Sequence, residues 1–344
     1  MYLNSFNHFR AIAIIFIVLG HTYALVNIDS STLFNGMIKN LLLGGTTLFV
    51  FISGFLFHHI FYKSFNYKKF LKKKTLNVLL PYIFLSFVPI ILFVVIFPNN
   101  NIFLTNQNGF IFEMVLPYFK YFLSGRFLTA YWYIPFIFII FILSPIFINF
   151  IKLNLKTQIM ITTLLFTISI LIHRPISNIN TLHSVLYFLP VYLLGILFSI
   201  YKTKIYYSLK HKEFYLLIII ILIALFQSYI GISGNYHKNL LEYNGVDLML
   251  IQKTLMSIFF MIILHRFENF ESTYINIISN TSFAIFFIHP FLIYFISKLK
   301  INNMLQGSHT YLFLWFTLII ILSIVIAQIS RRLLNDKSRY LIGY

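Results

Sequence analysis

The chain has 344 residues, 59% hydrophobic and 10% charged, with a mean hydropathy of +0.85 and a formal net charge of +18. A soluble domain carries about 25% charged residues, so this chain lacks the polar surface to cover a water-soluble globule. The absence of cysteine excludes disulfides, thiolate catalysis and Cys-ligated metals.

Long apolar runs recur from one end to the other. They are continuous rather than alternating, which selects spanning helices over a β-barrel. Cutting the sequence at its polar stretches predicts an all-α polytopic membrane bundle of about ten transmembrane helices, at 9–27, 36–61, 76–98, 131–151, 158–173, 184–201, 213–231, 247–265, 276–297 and 310–330. The first run is preceded by one basic residue, Arg10, and followed by no small-residue cleavage site, so it is read as a retained span rather than a signal peptide. Gly44-Gly45 predicts a bend or break in the second span. Residues 111–123 are apolar but interrupted by Pro117, and are expected to lie along the membrane or re-enter it. The stretch 99–130, with Asn99-Asn100-Asn101 and a second polar tract at 105–109, is a candidate lid or acceptor platform. No soluble domain, linker or fixed-period repeat interrupts the pattern, so 1–344 reads as a single membrane-embedded domain.

Charge sets the orientation. With the amino terminus inside, the inner segments hold 18 basic residues and the outer ones 7, Lys253 falling within a span. Both termini are therefore expected in the cytoplasm. The same distribution accounts for the positive charge without a nucleic-acid partner.

Ionisable residues inside spans are expensive and mark candidate sites. Arg10 and His21 are eleven residues apart, close to three turns, so they share one helix face about 16 Å apart along the axis. Arg10 can meet an anion near the inner surface, and His21 is a natural base for a hydroxyl, although a snorkelling arginine and a packed histidine fit equally well. Ser53-Gly54 permits close helix approach, a packing role preferred here over a nucleophilic serine. The run Lys68-Lys69-Phe70-Leu71-Lys72-Lys73-Lys74 suits a polyphosphorylated donor, or simply fixes topology against anionic lipid. Trp132 and Tyr133, in Tyr131-Trp132-Tyr133-Ile134-Pro135, form either an interfacial belt or a platform for a sugar ring. Ser282 and His289 are seven apart and share a face, with a catalytic or a structural role for His289. Glu113 is the acid of the long outer stretch, and Asp247 and Lys253 are expected to form structural pairs. His58-His59 and His173 with His183 lack partners at metal-ligand spacing, so no metal is expected.

Taken in order, these pieces resemble the acyltransferase family 3 membrane proteins, the group containing bacterial O-antigen and capsule O-acetylases. The resemblance rests on Arg10 and His21 in the first span, on Phe49-Val50-Phe51-Ile52-Ser53-Gly54-Phe55 in the second, and on a basic stretch leading to Pro81. It also rests on Trp132 with Pro135 and the late Ser282 and His289, and runs from about residue 5 to 335. It implies a multi-pass bacterial inner-membrane O-acyltransferase, expected to be an O-acetyltransferase, with acetyl-CoA as donor substrate and no permanently bound cofactor. It further implies a glycan or lipid-linked sugar as acceptor, with lipid around the spans. The implied site has His21 and Arg10 as catalytic residues; Arg10, Lys72, Lys73, Lys74 and Ser53 at the donor; and Trp132, Tyr133, His289 and Glu113 at the acceptor. One departure stands out: many members carry Arg-x-x-Arg at the start of the third span, where this chain reads Lys74-Thr75-Leu76-Asn77, a point charge and an amide in place of two forks. The alternative from another class is a flippase or exporter of lipid-linked oligosaccharide, against which stands the lack of repeats or matched broken helices.

Overall fold

A computed structural model describes residues 3–97, 101–104 and 109–344 of the chain. Its first helix, α1 (Asn4–Val26), runs through the middle of the bundle. The second span is broken, as its glycine pair predicts: α2 (Leu33–Leu42) and α3 (Thr46–Leu56) meet at Gly44, whose φ of +82° favours glycine. A π-helical turn, Phe57–Phe61, continues α3, and another, Thr75–Leu79, joins α4 (Tyr67–Lys74) to α5 (Leu80–Ile91). Residues 111–123 form a wide turn and α6 (Leu116–Ser124), too short to cross a membrane. Then follow α7 (Tyr133–Ile142), α8 (Ser144–Lys152), α9 (Leu155–Ile172), α10 (Thr181–Ile200), α11 (Lys202–Leu209), α12 (Glu213–Tyr229), α13 (Leu248–His265), α14 (Thr273–Lys298), α15 (His309–Leu334) and α16 (Ser338–Leu341).

Among the described residues, eight helical stretches are long and apolar enough to span a membrane. The pair α7 and α8, bent by 55° beside Pro145, makes a ninth. The shorter apolar α12 coincides with the expected span 213–231, the seventh in chain order. The protein is a multi-pass helical bundle. The polar tracts at 99–100 and 105–108 proposed for a lid lie outside the described residues.

Close packing replaces the hydrophobic driving force in lipid, and small residues make it possible. The tightest example is α3 on α10: a Cβ on Gly54 would stand 2.0 Å from the Tyr192 carbonyl oxygen, and one on Gly195 2.3 Å from that of Phe51. The Ser53-Gly54 element therefore pins two helices together. Asp247 and Lys253 do not pair with each other. They are six residues apart, well off a common helix face. Asp247 caps α13 through the Leu250 amide and accepts from the Tyr187 hydroxyl at 2.8 Å, while Lys253, fully buried, donates to the Leu41 carbonyl at 2.6 Å where α2 ends. The amide of Asn4 donates to Glu268, just beyond α13, and α16 packs beside α5 and the Thr75–Leu79 turn. Both described ends of the chain thus lie with the basic loops.

Candidate active site

At that basic end α1, α3, α4, the turn Thr75–Leu79, α7, α10, α14 and the C-terminal segment surround a cavity of about 930 Å³. Arg10 reaches it from α1, its guanidinium donating to the Ser279 carbonyl at 3.1 Å and the Ser282 hydroxyl at 3.0 Å on α14. Lys73 and Lys74 line it from the last turn of α4; the Lys74 ammonium sits 4.4 Å from the centre of the Phe141 ring. Ser53 contributes from α3 and Asn77 from the wide turn Thr75–Leu79. Lys72 is exposed and points away from the lining, because successive residues of a helix turn by about 100°. Tyr133, expected on the acceptor side, faces this cavity beside Ser53 instead.

His21 and His289 stand farther up the same two helices. His21 Nδ1 is 2.6 Å from the Thr129 hydroxyl, and its ring centre is 5.5 Å from that of His289. His289 is fully buried, with Nδ1 2.8 Å from the Ile285 carbonyl. A carbonyl can only accept, so Nδ1 carries the proton and Nε2 presents a lone pair, which has no partner among the described residues. Pro290 follows at once, inside α14, and has no N–H to give the preceding turn. The structure thus joins α1 to α14 by two polar rungs, Arg10 with Ser282 and His21 with His289.

Two arginines from the outer loops flank the upper rung, Arg126 and Arg174, both within electrostatic reach of His21. Arg174 is held on three sides. Its guanidinium stacks 4.7 Å above Trp132, its Nε donates to Asn178 at 2.7 Å, and its backbone pairs with residue 236 beside a two-residue parallel ladder, β1 (Arg174–Pro175) with β2 (His237–Lys238). Burial pulls the Arg174 guanidinium down to about 10, so it remains charged at neutral pH. Trp132 is neither a belt nor an open platform: it is 4% exposed, stacked on Phe188 and roofed by Arg174. Glu113 is exposed and accepts from the Gly109 amide in its own turn.

An aromatic layer separates the rungs. Phe286 is 5.6 Å from Tyr133 and 6.2 Å from His289, centre to centre. Both Tyr133 and Phe286 line the cavity, whereas His21 and His289 do not. Of the residues singled out in the sequence, the structure gathers Arg10, Ser53, Lys73, Lys74 and Tyr133 at one site and His21 and His289 at another. Lys72 and Glu113 belong to neither, and Trp132 supports the second through Arg174.

The family model for an acyltransferase domain, that of acyltransferase family 3, matches residues 3–332. The chain belongs to the family 3 acyltransferases. No curated protein and no solved structure matches it. The match to the family 3 acyltransferases ends in the last turn of α15, so the segment that closes the cavity lies beyond it. In this acyltransferase the site residues missed by sequence reasoning are Thr129, Arg126, Arg174, Arg331 and Arg339. Four are arginines near span ends, where charge is read as topology, and only tertiary packing distinguishes them.

Proposed function

We propose that this membrane acyltransferase carries an acyl group, acetyl in the simplest case, from acyl-CoA on the cytoplasmic side to a hydroxyl of a cell-envelope glycan or its lipid-linked precursor in a bacterial inner membrane. The observation that carries the reading is the pairing of α1 with α14: a cation-lined cavity opens at the basic end, and two imidazoles stand farther along the same helices. Arg10, Lys73 and Lys74 suit the donor's phosphates. The apolar upper wall, with Phe49, Ile52 and Phe286, suits the thioester arm.

In this mechanism the acceptor hydroxyl approaches His21. The imidazole takes the hydroxyl proton as the oxygen bonds to the thioester carbonyl carbon. The carbon–sulfur bond then breaks, and the proton held on His21 passes to the departing thiolate. His289 acts as a positioning residue for His21, and Phe286 must turn aside for the thioester to reach it. The test is acyl transfer from labelled acetyl-CoA to glycan, followed by mass spectrometry, in membranes holding the intact protein, His21→Ala or Arg10→Ala. Loss of His21 should lower turnover by about 10²–10⁴-fold, and loss of Arg10 should raise KM for the donor. Full transfer by both variants would overturn the mechanism. Unchanged acylation with glycan accumulating inside cells lacking the gene would instead indicate the flippase.

A further inference from the structure

The third-span sequence Lys74-Thr75-Leu76-Asn77 offers one ammonium and one amide, neither of which grips a phosphate in the two-pronged way of a guanidinium. The structure brings two guanidinium groups to the same cavity from elsewhere: Arg331, in the last turn of α15, and Arg339, in α16. Neither is ion-paired to a described carboxylate. Among the described residues, five cationic side chains line the cavity, Arg10, Lys73, Lys74, Arg331 and Arg339, against one acidic side chain, that of Asp336.

The C-terminal segment is built to hold these groups where they are. Asn335, at φ 50°, turns the chain back after α15. The buried Ser338 hydroxyl lies within donating reach of the backbone oxygens of Asn335, at 2.7 Å, and Tyr344. The Tyr344 ring lies 5.0 Å from the Arg331 guanidinium. Gly343, at φ +83°, is seated so tightly on α14 that a Cβ there would meet Phe283 at 2.6 Å. A second cleft of about 710 Å³ shares Arg331, Asn335, Asp336 and Tyr344 with the first, so the segment is a wall with open space on both sides.

Resting on the reading of the cavity as the donor site, we propose that Arg331 and Arg339 supply the guanidinium contacts to the donor's phosphates that the third span lacks, with 335–344 as the outer wall of that site. The ligand class is a thioester joined to a nucleotide bearing several phosphates.

The experiment is equilibrium binding to the full chain in lipid nanodiscs at low ionic strength, using acetyl-CoA and the phosphate-free S-acetyl-pantetheine. Arg331→Ala and Arg339→Ala should each raise Kd for acetyl-CoA about tenfold and leave that for S-acetyl-pantetheine unchanged. Arg339→Lys should recover only part of the loss, because it keeps charge but not the fork. Lys337→Ala, in the same segment but off the lining, should change nothing. Equal weakening of both ligands, or an equal loss in Lys337→Ala, would overturn the proposal in favour of a structural or bulk-charge effect. An intact protein that favours acetyl-CoA while both arginine variants bind it normally would also overturn it, leaving the donor site standing. An intact protein with no preference between the two ligands would remove the donor site itself.

Discussion

Replacing Gly54 by alanine tests whether the cavity depends on how closely α3 approaches α10. The new Cβ would stand 2.0 Å from the Tyr192 carbonyl oxygen and 2.8 Å from its carbon, both backbone atoms with no rotamer to yield. Ordinary contact begins at 3.4 Å, so the two backbones must part by roughly 1.4 Å at that level. Overpacking of this kind costs about 1–3 kcal/mol, offset by up to about 1 kcal/mol of helix propensity gained over glycine. The effect on function should be larger than the effect on stability. Ile52, Ser53 and Leu56 of α3 and Tyr192 of α10 all line the cavity, and a misplacement of about 1 Å can cost about 10²-fold in rate. Thermal unfolding and initial rates on protein in nanodiscs should therefore show a modest fall in Tm with a steep fall in kcat/KM for the donor. Gly20→Ala makes the same chemical change on α1, where a Cβ finds its nearest neighbour at 3.7 Å, and should leave kcat/KM unchanged and Tm the same or slightly higher. Identical behaviour of the two variants would refute the reasoning.

Two further substitutions probe the interior and the outer loops. Lys253→Ala leaves the Leu41 carbonyl without its donor and empties the space beside Gly44, so unfolding should become easier by about 1–3 kcal/mol with donor KM unchanged. A shift in donor KM as large as the loss in stability would contradict the assignment of Lys253 to the helix break. Arg174→Lys keeps the charge but forfeits the stacking on Trp132 and the Nε bond to Asn178. It should lower acceptor-dependent kcat/KM about tenfold while donor binding holds, and a loss confined to donor binding would place Arg174 in the wrong site.

The spans were legible because each must satisfy its own backbone in lipid, which forces long apolar runs that no soluble fold needs. The spacing of Arg10 and His21 was legible because helical geometry alone puts them on one face. Their partners were not. Ser282 and His289 also share a face, but only the packing of α1 on α14 sets the arginine against the serine and the two imidazoles side by side. In the basic run, like charges give no hint of which lysine turns inward; the wheel of α4 puts Lys73 and Lys74 on the cavity and Lys72 outside. Trp132 misleads for a related reason. An aromatic at a span end usually meets the membrane surface, but here the loop carrying Arg174 folds over it and buries both.

The wide turns at Phe57–Phe61 and Thr75–Leu79 bear on how this chain tolerates insertion and deletion. A π-helical turn holds one residue more than an α-helix would, so each behaves as an insertion absorbed in place. Removing a single residue from either would let the turn close into ordinary α-helix with the flanking segments still in phase, whereas the same deletion within α3 or α5 would rotate everything beyond it by about 100°. For the second turn that means Lys73 and Lys74 on α4 would keep their angle to α5, so the cavity would keep its cation face while the span hardly changed in length. A one-residue deletion should therefore be better tolerated at these turns than in the regular helices on either side of them.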